Sequence, residues 1–263
     1  MLYSDIIIII IVFILLLIIF LKCKKENFNN NIRVVISLTT SPKRLEKIDD
    51  ILNNIVNQTR KPNKIILNVP HIFKRDCSKY NEEILKKLNN KYGEILLINR
   101  CEDRGPITKL IPTLDLEKDP NTNIILIDDD IIYEKDLIEK LVNEYNKNPE
   151  IVIANNIFTP LKYTTIPQAF AGIIFRRSIF DDSFILFADE VKDYKHCYNS
   201  DDLIIGLYFI KKNIRIKSPE KETKYSDTNY GHDSDALKNQ DNINHYQRYE
   251  KCKKFIDTMV LSK

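Results

Sequence analysis

Tryptophan is absent from the 263 residues, glycine occurs five times and methionine twice. Stacking against a ligand ring therefore falls to 13 tyrosines and 12 phenylalanines. No glycine stands after the first predicted strand, which argues against a glycine-rich phosphate loop there. An excess of one charge is also missing, because 40 Lys and Arg face 37 Asp and Glu for a net +3. Bulk nucleic-acid binding is thereby excluded, since it draws on a large positive surplus that releases counterions. Disorder is excluded as well, because 43% of residues are hydrophobic and the net charge is small. The five cysteines (Cys23, Cys77, Cys101, Cys197 and Cys252) contain no CxxC pair or other metal-ligand spacing. They read as reduced thiols. No internal repeat is visible.

What the chain has at its start is an apolar run of sixteen residues, Ile6 to Leu21. As a helix it spans about 24 Å, short of the roughly 30 Å hydrocarbon core of a bilayer. Tyr3 and the stems of Lys22, Lys24 and Lys25 close the gap at the interfaces. A cleaved signal peptide fits less well, because the preceding flank carries Asp5 and no small-residue cleavage site follows Leu21. The expectation is an N-terminal transmembrane anchor over 1–26 and a polar linker over 27–31. One domain follows over 32–263, with a first half over 32–130 and a second half and tail over 131–263. The basic cluster after the span favours a cytoplasmic domain. The sequon Asn57-Gln58-Thr59 matters only in a secretory lumen. Without residues 1–26 the chain keeps 37 basic and 35 acidic residues, a near-neutral domain.

In the first half, short Val- and Ile-rich runs recur about every thirty residues: Arg33–Leu38, Lys64–Val69, Glu94–Ile98 and Asn123–Ile127. They read as strands buried on both faces and spaced as βαβ units. Between them, Leu45, Ile48, Ile51, Leu52, Ile55 and Val56 mark one face of a helix, with Ser41-Pro42 as its start. Glu82–Asn90 and Thr108–Leu114 are weaker helices, and Leu137, Ile138, Leu141, Val142 and Tyr145 mark a clear one. The fold class is α/β, a mostly parallel central sheet flanked by helices. In the second half, Ile151–Ala154, Ala171–Phe175 and Ile214–Lys217 read as strands and Asp201–Lys212 as a helix. The tail after Ser218 reads as polar and turn-rich.

Chemistry concentrates at Ile127-Asp128-Asp129-Asp130-Ile131. Three carboxylates end a buried strand, and ligands of open parallel sheets bind beyond that strand end. If the segment stays extended, Asp128 and Asp130 share a face and converge on one site. Carboxylate oxygens with room for water and phosphate suit Mg²⁺ or Mn²⁺. The plain alternative is a solvated acidic turn. Past the third strand, Asp103-Arg104-Gly105-Pro106-Ile107-Thr108-Lys109 combines a tight turn, a helix start and a lysine. It is either a phosphate site or an ordinary connection. After the first strand, Thr39-Thr40-Ser41-Pro42-Lys43-Arg44 offers hydroxyls and Arg44 for nucleotide contact, or simply caps a helix. Ser200-Asp201-Asp202 opens a helix, where acids complement the dipole or serve as a general base. His232 in the tail is a surface residue or a late metal ligand.

In their order and spacing these segments resemble GT-A-fold glycosyltransferases of the family-two-like kind, over about residues 32–240. The resemblance implies a nucleotide-sugar donor at the carboxyl ends of the first strands. Thr39, Thr40, Arg44 and Asp103 would then line the nucleotide, with Lys109 near the phosphates. Asp128, Asp129 and Asp130 match the family's Asp-x-Asp motif, with Asp128 toward the ribose and Asp130 on a Mn²⁺ or Mg²⁺ ion. Asp202, or its neighbour Asp201, matches the catalytic base. The implied activity is metal-dependent, inverting transfer of a sugar to a glycan, protein or lipid acceptor, on a protein held at the membrane by its N-terminal helix and with no nucleic-acid partner. Two other readings share these residues: a membrane-tethered nucleotide- or sugar-binding protein without catalysis, and a sugar-phosphate nucleotidyltransferase.

Overall fold

The computed structural model describes residues 10–20, 32–161, 164–229 and 243–261. It separates the chain into Met1–Arg33 and Val34–Lys263. In the first unit, α1 (residues 10–20) is a helix with exposed apolar side chains. Among the described residues no helix is long and apolar enough to cross a membrane.

The second unit is built on four strands that match the apolar runs: β1 (Val34–Thr39), β2 (Lys64–Pro70), β3 (Leu96–Cys101) and β4 (Asn123–Leu126). β1 pairs in parallel with β2 on one side and with β4 on the other, and β2 pairs in parallel with β3. Leu38 lies beside Leu67 and Ser37 beside Leu126, so the carboxyl ends of these strands share one edge. β6 (Val152–Ala154), β9 (Ile173–Arg176) and β10 (Ile216–Lys217) complete a sheet of order β10-β6-β9-β4-β1-β2-β3. β9 runs antiparallel to both neighbours, with Ile173 beside Leu126. The loop that enters β9 therefore arrives at the carboxyl edge of β4.

Helices cover the sheet. α2 (Ile48–Val56) buries Ile48, Ile51, Leu52 and Ile55, each contributing about 1.5–3 kcal/mol. Its start is later than Ser41-Pro42 suggests. Those residues form turns, a 3₁₀ turn over Leu45–Lys47 follows, and no side chain caps α2. α3 (Glu82–Tyr92) is capped by Asn81, α4 (Ile111–Leu116) follows a 3₁₀ turn over Ile107–Lys109, and α5 (Leu137–Lys147) packs its predicted apolar face inward.

The second half holds more structure than its sequence suggests. β5 (Ile131–Tyr133) pairs with β11 (Tyr225–Asp227), and β7 (Ile157–Leu161) pairs with β8 (Thr164–Pro167). α6 (Asp182–Val191), α7 (Lys195–Tyr198) and α8 (Asp201–Lys211) follow. The tail is not merely turn-rich, because it contains β11 and the seventeen-residue helix α9 (His245–Leu261). Tyr249, Cys252 and Ile256 of α9 are buried at helical spacing. The reading of all cysteines as reduced thiols is also corrected. Cys197 in α7 and Cys252 in α9 form a disulfide with Cα atoms 4.9 Å apart. The partners are 55 residues apart in sequence, and only the packing of α7 on α9 brings them together. Cys77 and Cys101 are free. Burial and the nearby Asp103 push the Cys101 thiol up to about 12.

Candidate active site

A cavity of about 560 Å³ opens at the carboxyl edge of the sheet. Thr39, Pro70, Asp103 and Asp128 line it, each at or just beyond the end of one parallel strand. This is where the topology of an open α/β sheet places a ligand. Beneath it lies a buried polar network. Asn68 donates to Ser37 (3.2 Å) and Thr113 (2.9 Å), Ser37 donates to the carbonyl of Lys109, and Asn99 donates to Asn68 (2.8 Å). The network ties the start of α4 to the sheet and so fixes where Lys109 emerges.

Lys109 is the hub. Its buried ammonium pairs with Asp128 and, at 2.9 Å, with Asp201. Burial alone would lower its pKa, but Asp128, Asp201 and Asp202 outweigh that and raise it. The sequence reading put Lys109 near phosphates. In the structure it joins the acidic turn after β4 to the first turn of α8. Arg44 serves the other two carboxylates, with Nη1 at 2.9 Å from Asp129 and 3.0 Å from Asp130.

The three aspartates do not share a strand face. β4 ends at Leu126, and Asp129-Asp130 is a turn, so strand alternation does not govern them. Asp128 faces Lys109, whereas Asp129 and Asp130 face Arg44. Burial, Asp129 and Asp128 together push the Asp130 carboxyl up to about 7. Burial likewise raises Asp128 against the pull of Lys109.

Asp103 is locked in place. It accepts from the Lys74 amide (2.7 Å), the Gly105 amide (2.8 Å) and the Tyr198 hydroxyl (3.2 Å). Thr39 donates to the Asn68 carbonyl (2.8 Å), and the Thr40 carbonyl accepts from Tyr80 (2.8 Å). On the far side, Asp202 accepts from the Ala169 amide (3.0 Å) in the loop that enters β9. Burial, then Asp201, raise the Asp202 pKa well above the usual carboxylate range, with Lys109 opposing. Burial and the two carboxylates of Asp202 and Asp201 raise the phenol of Tyr249 in the same way.

The cavity thus gathers Thr39, Thr40, Arg44, Asp103, Lys109, Asp128, Asp129, Asp130, Asp201 and Asp202, all expected from sequence. His232 lies outside the described residues. Sequence reasoning missed Phe158, Gln168, Phe170, Tyr198, Asp227 and Tyr249, which also line the cavity, Asp227 from β11 beside Ile131 and Tyr198 against Asp103. The burial spacing of α9 could have signalled Tyr249. Nothing local marks Phe158 or Gln168.

Seven aspartates and three cations (Arg44, Arg75 and Lys109) line the cavity, and burial together with the neighbouring Asp129 and Asp128 raises Asp130. That all-oxygen donor set fits a hard divalent cation completed by phosphate and water. Among the described residues no three His, Cys, Asp or Glu side chains form a metal cluster by themselves.

No family model matches the chain. Solved structures of Staphylococcus aureus TarS share its architecture. TarS 1–349 aligns with a TM-score of 0.51 at 16% identity, over 82% of this chain and 68% of that one. The same region in complex with UDP-GlcNAc aligns with a TM-score of 0.54 at 15% identity, over 88% and 67%. The chain shares the fold of these TarS structures. A curated relative, the glucosyl-dolichyl phosphate glucuronosyltransferase of Haloferax volcanii, is 26% identical over 137 residues, 52% of this chain and 41% of the relative. The match spans under half of that relative's length.

Proposed function

We propose that the chain is a metal-dependent glycosyltransferase that moves a sugar from a nucleotide-sugar donor to an acceptor hydroxyl with inversion. One observation carries the reading: Asp202 and the acidic turn Asp128–Asp130 line the same cavity, joined through Lys109, at the ligand-binding edge of a GT-A sheet. Thr39, Thr40 and the fixed carboxylate of Asp103 would hold the nucleoside. A Mn²⁺ or Mg²⁺ ion on Asp130, with Asp128 nearby, would supply charge neutralisation for the departing diphosphate. Lys109 would hold Asp128 and Asp201 in register.

The acceptor oxygen then attacks the anomeric carbon from the face opposite the diphosphate. The bond from that carbon to the diphosphate breaks, and its electrons leave with the nucleoside diphosphate. Asp202 takes the acceptor proton. Burial and Asp201 keep it more basic than a solvated carboxylate, which suits that role.

TarS has been captured with UDP and with UDP-GlcNAc, so uridine nucleotide sugars are the first donors to test. The apolar run 6–21 supports attachment to a membrane. A disulfide favours an oxidising compartment, against the cytoplasmic orientation that the flanking lysines suggest.

The test is a thermal-shift titration with UDP or GDP, with and without Mn²⁺, followed by a nucleotide-sugar hydrolysis and transfer screen. Asp202→Asn should lower transfer on the order of 10²–10⁴-fold while UDP still binds. Full transfer by that variant would sink the base, and full transfer in excess chelator would sink the metal. A Mn²⁺-dependent shift with neither hydrolysis nor transfer would leave a nucleotide-binding protein.

A further inference from the structure

The sequon Asn57-Gln58-Thr59 takes no part in the cavity. It forms the turn that follows α2, and its three side chains divide between interior and solvent. Gln58 is buried. Its side-chain amide donates to the Glu134 carbonyl (3.0 Å) and accepts from the Ile138 amide (3.3 Å). The Thr59 amide donates to the Lys135 carbonyl (2.7 Å), and its hydroxyl donates to Glu139 (2.6 Å). Gln58 thus anchors the turn on the start of α5 and leaves its two neighbours outside, where Asn57 and Thr59 are both exposed.

Asn57 can carry a bulky group at small cost. Its Nδ2 donates to the Asn53 carbonyl (2.9 Å) and to the Asn53 side chain (3.2 Å), both in exposed positions. A substituted amide keeps one N–H, so attachment gives up one exposed bond and no buried one. Residues 57–63 lead to the amino end of β2, where Asn63 bonds Val34 at the start of β1 in both directions. The cavity opens at the opposite, carboxyl edge of the sheet, and none of residues 57–63 lines it. A second, independent observation concerns the compartment. The buried Cys197–Cys252 disulfide forms where thiols are oxidised, which is also where Asn-x-Ser/Thr triplets are glycosylated. The sequence contains one such triplet.

We infer that Asn57 is an N-glycosylation site and that the domain faces a secretory lumen. The co-reactant is an oligosaccharide carried on a lipid diphosphate. Nδ2 of Asn57 forms a bond to the anomeric carbon of that oligosaccharide and loses one proton. The bond from the same carbon to the diphosphate breaks, and its electrons leave with the lipid diphosphate. The Thr59 hydroxyl is the second element that the transfer requires. This orientation is the one the disulfide favours and the lysines after the apolar run do not. The modification is independent of the chain's own catalytic activity.

The experiment translates the full chain in a eukaryotic cell-free system, with and without endoplasmic-reticulum microsomes. Mass is read on a gel before and after treatment with a peptide N-glycosidase. With microsomes the wild type should show one upward step in mass, reversed by the glycosidase. The step should be lost in Asn57→Gln and in Thr59→Ala, and kept in Thr59→Ser, which retains the hydroxyl. The gel reads mass, so a variant that folds poorly still reports. Protease added outside intact microsomes should spare the domain. A protected domain with no step would overturn the site. A domain digested from outside, with no step, would overturn the site and the lumenal orientation together. A step that survives Asn57→Gln would put the glycan elsewhere and overturn the assignment to this residue.

Discussion

On the wall that carries Thr39, Asp103 and Asp128–Asp130, the functional side chains leave the sheet within four residues of the carboxyl end of a parallel strand. The second half of the chain supplies the rest of the lining: Phe158, Phe170, Asp202, Asp227 and Tyr249 come from a hairpin, a loop, a helix start, a short strand and a C-terminal helix. The first wall inherits its geometry from strand register, which backbone hydrogen bonds set. The second must be assembled from distant segments, and the structure holds them by specific devices: the Ala169 amide on Asp202, the Cys197–Cys252 disulfide and the contact of Tyr198 with Asp103.

Removing the link between the walls should have the largest effect. Lys109→Met leaves Asp128 and Asp201 without their shared buried cation. Breaking a buried pair from one side costs about 3–5 kcal/mol, because the partner charge stays behind. Urea unfolding should show a lowered midpoint with an unchanged slope, and donor hydrolysis should fall with transfer. A variant of wild-type stability would mean that the two carboxylates reach solvent and that the walls are not joined through Lys109.

The same contrast decides what was legible in sequence. Val34–Thr39, Lys64–Pro70, Leu96–Cys101 and Asn123–Leu126 each lie within three residues of the apolar run that announces them. Polar residues just past a buried strand are candidates by topology alone, so Thr39, Asp103 and Asp128 were found. Asp202 was found because a helix start is a local signal. Pairings were not legible. The pairing of Lys109 with Asp201 is not announced by anything near either residue, because they lie 92 positions apart in the chain. Asp128 and Asp130 were placed on one face because a strand was assumed to continue where the chain turns. Phe158 and Gln168 sit in a stretch with no helical or strand periodicity of its own, and their role exists only once β7, β8 and α8 are packed. Cys252 has a helical spacing with Tyr249 and Ile256, but the polar residues between them mask it.

Breaking the clip on the second wall sharpens the comparison at a smaller cost. The disulfide closes a loop of 55 residues, and its loss should cost about 2–4 kcal/mol. In Cys252→Ser the loss should be local. Amide exchange should accelerate in α7 and α9, while β1 to β4 keep their protection and UDP still binds. Uniform acceleration through the sheet would show that the two walls unfold as one unit and that the clip serves the whole domain.

The smallest effect belongs to the point where the walls touch directly. Gly105 has φ +71°, and a Cβ there would stand 2.8 Å from the carbonyl oxygen of Tyr198 and 2.8 Å from its ring. Gly105→Ala therefore meets two obstacles. A left-handed conformation costs a residue with a Cβ roughly 1–2 kcal/mol, and the new atom also pushes against the backbone of the opposite wall. The two are separable, because asparagine tolerates the left-handed region better than alanine but carries the same Cβ. If contact between the walls is what matters, Gly105→Asn should be no better than Gly105→Ala. Both should loosen Tyr198 from Asp103 and weaken UDP binding more than they lower stability. If asparagine restores UDP affinity, the glycine serves only its own turn, and the Lys74 and residue-105 amides hold Asp103 well enough without Tyr198.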